Sequence, residues 1–326
     1  TYFELGMRDK GAWQLTSGPL SGTLSSRDMP ELVGCSALRL AAFERSLRVA
    51  CFRAGAEAAT QPIEFWSSDD AGQSFRVDGS KVDGNLGSFR MALGEGGTLL
   101  MAGVCAGSFA GAGCAPQGIA RRVPGADKAK PLPAAQPLPS AKARVSGPRD
   151  VSPAATPSLA DTALALAFSL DGRVAYAVGR RTKGGVLAIF VSRDGGRSFE
   201  AQDLSLPTGD GSDAEERWES NVSGVHVDAL VPAEDGSVGL SVSRYRARVW
   251  LVLDEAGRVL SVARPPETRA FLGVAGSRAI AVSPATNDVW ESLDGGSTFQ
   301  SLGRLPIDLC VNENNCEVQL ACTPIG

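Results

Sequence analysis

The sequence is poor in histidine: among 326 residues there is one, His226, and there are only three tyrosines. A single imidazole excludes every multi-histidine metal centre and leaves Ser-His-Asp chemistry dependent on one residue. No run of 18 apolar residues occurs, which excludes a helical membrane span. Basic residues are not in excess. Lys and Arg number 32 against 36 Asp and Glu, a net charge of −4, so nothing recommends a nucleic-acid partner. None of the seven cysteines forms a C-x-x-C pair, which excludes zinc-ribbon and thioredoxin-like sites. No cofactor and no metal are expected. No signal peptide is visible, and a chain that begins with threonine is expected to be either a trimmed mature form or an engineered piece of the protein.

Hydrophobic residues make up 43% of the chain, which rules out wholesale disorder and suffices for a large core. The 38 glycines and 19 prolines suit many tight turns. The cysteines Cys105 and Cys114 bracket AGSFAGAG, and Cys310 and Cys316 bracket VNENN. Both pairs are expected to close short disulfide loops, with Cys35 pairing either Cys51 or Cys322. Disulfides imply an oxidising compartment: secreted, periplasmic or cell-surface. The alternative is buried free thiols in a cytosolic protein.

One pattern recurs three times: SDDAGQSF at Ser68–Phe75, SRDGGRSF at Ser192–Phe199 and SLDGGSTF at Ser292–Phe299. The common form is S-x-D-x-G-x-[S/T]-F, and each copy follows a strand-like apolar run. Its aspartate (Asp70, Asp194, Asp294) suits a carboxylate that accepts hydrogen bonds from turn amides. Its glycine (Gly72, Gly196, Gly296) suits a left-handed backbone. The pattern resembles the Asp-box, or bacterial neuraminidase, repeat of sialidases, sortilin-type receptors, some glucanases and photosystem assembly factors. The resemblance implies a β-propeller, with the motif on the turn between the third and fourth strands of a blade, on the face opposite the ligand site. It implies a structural role for the motif and carries no ligand across.

The spacing counts blades. Ser192 and Ser292 are 100 residues apart, or two blades of about 50. Ser68 and Ser192 are 124 apart, two blades plus an insertion, and residues 124–158 hold eight prolines and no aromatic. Period-2 alternation places blade one at Ala37–Val77 and blade two at Ser88–Val123, its last strand after the insertion. Blade three is Thr162–Leu204, blade four Gly224–Ala263 with a degenerate turn at Leu253–Arg258, and blade five Ala270–Leu302. Two C-terminal strands within Ile307–Thr323 and two N-terminal strands within Tyr2–Leu15 are expected to share a closing blade. The expectation is all-β: a single domain over 1–326, a six-bladed propeller of four-stranded antiparallel blades. A seven-bladed relative or a truncated chain is the alternative.

Ligands of propellers usually meet the loops between second and third strands. There the sequence places Arg53 and Glu57, then Arg180, Arg181 and Lys183, then Arg244, Tyr245 and Arg246, then Asn287 and Asp288. Arginines at one topological position in three blades suit a carboxylate or phosphate; the alternative is a solvated basic rim. Asp210 and Asp213 are hard oxygen donors, but they lack the regular series of a calcium loop. His226 is expected to line the channel or the core, and Asn221–Ser223 is a glycosylation sequon.

A sialidase would need an F/Y-R-I/L-P motif near the start. CFRAG at Cys51–Gly55 is the nearest echo and lies in the wrong strand. Tyr245 is the one loop tyrosine that could serve as nucleophile, with Glu215, Glu216 or Glu219 as its partner, while the acid and first arginine stay unassigned. The favoured reading is therefore a non-catalytic extracytoplasmic module that binds a protein or a glycan. Sialidase-like hydrolysis is the alternative.

Overall fold

The computed structural model describes residues 2–7, 12–18, 25–53, 61–84, 89–105, 119–124, 130–131, 136–137, 163–180, 187–204, 225–244, 247–263, 270–275, 278–283, 286–294, 296–304 and 321–322. Among them are six sheets and, apart from strands, only two one-turn 3-10 helices, Pro30–Leu32 and Glu95–Gly97.

Five sheets follow the expected blades. Sheet 1 has strands Cys35–Phe43, Ser46–Arg53, Gln61–Ser68 and Arg76–Gly84; sheet 2 has Arg90–Leu93, Leu99–Ala102 and Ile119–Arg122. Sheet 3 has Ala163–Phe168, Ala175–Arg180, Leu187–Ser192 and Glu200–Asp203. Sheet 4 has Val225–Pro232, Val238–Arg244, Ala247–Leu253 and Val259–Ala263; sheet 5 has Ala270–Ala275, Arg278–Val282, Asp288–Ser292 and Gln300–Arg304. Neighbours in each are antiparallel.

Why these strands bury both faces is clearest in Leu187–Ser192, buried along its whole length. Successive side chains of a strand point to opposite faces. Ala188 and Phe190 pack with Leu100 and Ile119 of sheet 2, while Leu187, Ile189 and Val191 pack with Val238, Leu240 and Val249 of sheet 4. Every cluster of buried apolar side chains spans two consecutive sheets in this way, from the terminal sheet to sheet 5. The core is therefore a series of layers between sheets, and the first strands of sheets 1 to 5 lie side by side in order.

The sixth, terminal sheet joins both ends of the chain. Ala321–Cys322 pairs with Tyr2–Met7, which is followed by Trp13–Gly18 and Ser25–Asp28. The N-terminus thus gives three strands where two were expected. The expected second C-terminal strand falls within 305–320, outside the described residues. Ser25–Asp28 reads SSRD and is mostly exposed, so no alternation of apolar residues announces it.

The Pro-rich segment also differs from expectation. The fourth strand of sheet 2 is Lys130–Pro131, inside the insertion and not after it. Gln136–Pro137 then runs parallel to Glu200–Ala201 as a fifth strand on sheet 3. Proline lacks an N–H but still accepts, so it is tolerated at a sheet edge. Val104–Cys105 adds a fifth strand to sheet 1, beside Asp83 and Gly84.

Candidate functional site

Each repeat turn joins the third and fourth strands of its sheet: sheets 1, 3 and 5. In sheet 3, Ser192 Oγ donates to Asp194 Oδ1 at 2.7 Å and accepts the Gly196 N–H at 2.8 Å. Asp194 Oδ1 also accepts the N–H groups of Arg197 and Ser198, and Oδ2 accepts the Ser198 hydroxyl at 2.7 Å. Asp70 does the same with Ser68 and Ser74, and Asp294 with Ser292, Ser297 and Thr298. Burial raises the Asp194 carboxyl, but the Ser198 hydroxyl and amide and its other donors outweigh it and bring its pKa down to about 2. The Ser74 hydroxyl and amide hold Asp70 well below the usual carboxylate range, as the Thr298 amide and hydroxyl do Asp294. These carboxylates are spent on their own turns.

The turns also hold neighbouring sheets together. Gly196 is at φ +78, and a Cβ there would stand 2.7 Å from Leu100 Cδ2 of sheet 2. Gly72 meets Leu15 of the terminal sheet, and Gly296 meets Trp250 and Ala263 of sheet 4. Phe199 is buried between sheets 2 and 3, and Phe299 stands edge-on to Trp250 at 5.5 Å. Arginines of the preceding sheet donate to carbonyls at the turn tips: Arg27 to Gly72 O, Arg121 to Gly195 O, and Arg193 to Glu255 O in the degenerate turn. Sequence reading missed these arginines, because each acts across a sheet boundary 45 to 74 residues away in the chain.

On the opposite face, Arg53, Arg180 and Arg244 end the second strands of sheets 1, 3 and 4. Arg53 is tied down: its Nε and Nη2 reach Glu64 Oε2 at 3.1 and 2.8 Å, and its Nη1 donates to Val33 O at 2.7 Å. Arg180 Nη2 donates to Val225 O, the first residue of sheet 4, at 3.0 Å. These two arginines fasten the rim. Arg244 pairs through its backbone with Val225 and Ala247. Arg181, Lys183, Tyr245 and Arg246 lie outside the described residues, as do Glu57, Asp210, Asp213, Glu215, Glu216, Glu219 and Asn221. Asn287 is nearly buried in a turn at φ 58, and Asp288 accepts the Thr286 hydroxyl at 2.6 Å. His226 is exposed on the first strand of sheet 4, which removes it from the core.

Cys35 and Cys51 form a disulfide across the first two strands of sheet 1, with Cα atoms 5.4 Å apart. This settles the choice between Cys51 and Cys322. The other two expected bridges, Cys105–Cys114 and Cys310–Cys316, depend on Cys114, Cys310 and Cys316, which lie outside the described residues. Among the described residues, no group of three His, Cys, Asp or Glu is placed to hold a metal, and no helix is long and apolar enough to cross a membrane.

The chain is similar to the β-propeller domain of the Trilobed protease from Pyrococcus furiosus at 11% identity. That match covers 95% of this chain and 80% of that one, with a TM-score of 0.50. The fold is a β-propeller. A chain of the nidogen/laminin complex matches with a TM-score of 0.48 and 11% identity over 93% of the propeller and 92% of its own length. A prolyl endopeptidase matches at 0.45 and 9% over 94% of the propeller, which spans only 43% of that enzyme. No protein-family model and no curated protein sequence matches.

Proposed function

We propose that the chain is a six-bladed propeller of the Asp-box kind, its closing blade shared by the two ends, that serves outside the cytoplasm as a binding or assembly module. The six sheets and the pairing of Ala321–Cys322 with Tyr2–Phe3 support that closure. The Cys35–Cys51 disulfide supports an oxidising compartment.

The observation that carries binding over hydrolysis is the state of the rim arginines. A sialidase-type hydrolase brings arginines together on a substrate carboxylate. Here Arg53 is occupied by Glu64 and Val33, and Arg180 by Val225. Both serve the scaffold, and the repeat aspartates serve their turns. The ligand set narrows to Arg181, Arg244, Tyr245 and Arg246, which in the chain end or follow the second strands of sheets 3 and 4. Such a set suits an anionic protein surface or an acidic glycan. Binding to an array of acidic glycans and anionic peptides tests this, with a sialidase substrate assayed in parallel. Arg181→Ala with Arg244→Ala is expected to weaken binding at least tenfold. Turnover of the sialidase substrate, lost on Tyr245→Phe, would refute the reading in favour of a hydrolase with Tyr245 and Glu216 as its nucleophile pair.

A further inference from the structure

A second recess lies on the other face, where the turns are. It is a cavity of about 510 Å³ between sheets 3 and 4, within the range of small-molecule sites. Three turns supply its carboxylates: Asp171 from the first-to-second turn of sheet 3, Glu234 and Asp235 from that of sheet 4, and Glu255 from the degenerate turn. Against these four acids stands one base, Arg193, whose guanidinium already donates to Glu255 O and faces Glu200 at 3.4 Å. Asp171 is fixed by the Ser169 hydroxyl and the Arg173 amide, and Asp235 by the amide and hydroxyl of Ser237. Glu234 and Glu255 are exposed and, among the described residues, their carboxylates enter no ion pair.

The cavity also has a buried polar end. Tyr176 is 1% exposed, with its ring in the layer between sheets 3 and 4, and it lines the cavity. No described residue hydrogen-bonds to its hydroxyl. Its oxygen is not one of the fully enclosed polar atoms, so a donor in the cavity can reach it. Burial, with Glu255 and Asp171 nearby and Arg193 opposing, pushes the phenol up to about 12, so it remains un-ionised at neutral pH. Leu170, Val174 and Ala233 complete the wall with apolar surface.

We propose that this cavity binds a small organic cation, an aliphatic diamine or polyamine with primary ammonium groups. Four acids against one base select a cation. Their distribution over three turns, with no three gathered for a metal among the described residues, selects an extended cation over a metal ion. Carboxylates at the mouth receive one ammonium, the Tyr176 oxygen accepts an N–H of another at the floor, and the apolar wall covers the methylenes between them. The site is separate from the rim proposed above and does not depend on it.

Calorimetry of the full chain with 1,5-diaminopentane at low ionic strength tests the proposal, with 1,5-pentanediol and MgCl₂ as comparison probes. Saturable one-to-one binding of the diamine is expected, and none of the diol. Replacing Glu234→Gln and Glu255→Gln together should weaken binding at least tenfold. Tyr176→Phe, which keeps the ring in the core, should weaken it at least threefold at an unchanged unfolding midpoint. The proposal is overturned if the diamine does not bind, if the diol binds equally, or if MgCl₂ displaces the diamine charge for charge. Wild-type affinity in the double glutamine variant overturns it as well.

Discussion

Gly196→Ala probes how the sheets are fastened, and the structure supplies its own control one residue away. Gly195 and Gly196 both lie in the left-handed region, at φ +69 and +78. A Cβ on Gly195 meets nothing within 4 Å, whereas one on Gly196 meets Leu100 Cδ2 at 2.7 Å and Cδ1 at 3.0 Å. Leu100 is fully buried in the layer between sheets 2 and 3, so it has little room to retreat. Alanine at either position costs about 1–2 kcal/mol for the left-handed backbone. Forcing a methyl group into a packed layer adds about 1–3 kcal/mol at Gly196 alone. Gly196→Ala should therefore destabilise by about 2–5 kcal/mol, and Gly195→Ala by about 1–2 kcal/mol. Denaturant unfolding at matched slope measures both. In a Leu100→Ala background, itself about 2–5 kcal/mol less stable, the added cost of Gly196→Ala should fall to that of Gly195→Ala, since the two changes share one contact. Equal destabilisation by the two glycine substitutions would refute the claim that the turn presses on the preceding sheet.

Acid should loosen the repeat turns. Their carboxylates titrate below the ordinary value of 3.8, so the stability they contribute is present above about pH 4 and lost as pH falls toward the folded value of about 2 for Asp194. Asp194→Asn should flatten that acid decline of the melting temperature, and an unchanged acid slope would count against it. Replacing both Cys35 and Cys51 by alanine should cost about 3 kcal/mol, the chain-entropy value for a loop closed by residues 16 apart. Peptide mapping without reductant should recover the Cys35–Cys51 bridge intact, and a free thiol at Cys51 would contradict it.

The fold was legible where local and global demands coincide. The repeat states its turn chemistry in full: serine and aspartate bind turn amides, glycine takes the positive φ, and the aromatic enters the neighbouring layer. Strands such as Leu187–Ser192 carry their burial in their composition. What escaped reading lacks such coincidence. Ser25–Asp28 is polar, and Lys130–Pro131 sits in a proline tract, so neither displays the apolar period of a strand. The rim arginines were visible as residues, but their backbone partners were not: Val33 and Val225 use carbonyls, which no side-chain pattern encodes. The cavity between sheets 3 and 4 draws on turns from Ser169 to Glu255, and only the stacking of the two sheets brings them together.

The degenerate turn shows which part of the repeat the architecture requires. Leu253–Arg258 has lost the serine and the closing aromatic, yet Asp254 still accepts the amides of Ala256 and Arg258. Gly257 keeps φ +80, and a Cβ there would stand 2.5 Å from Ile189 Cγ2 of sheet 3. What persists is the carboxylate that shapes the turn and the glycine that lets it approach the previous sheet. The sequence between the third and fourth strands of sheet 2 carries no copy of the repeat, and a different device stands at its boundary. Arg122 of sheet 2 makes a two-pronged pair with Asp78 of sheet 1, at 2.7 and 2.8 Å, and its guanidinium lies over the Phe65 ring at 5.9 Å. The Arg122 side chain is only 9% exposed, where a paired charge is held firmly and an orphaned one is costly. In an array whose cores lie between sheets, every boundary needs its own fastening, since each sheet is stabilised mainly by its neighbours. The boundary just before the insertion is therefore fastened by an ion pair, which holds sheet 2 to sheet 1 where the sequence offers no repeat turn.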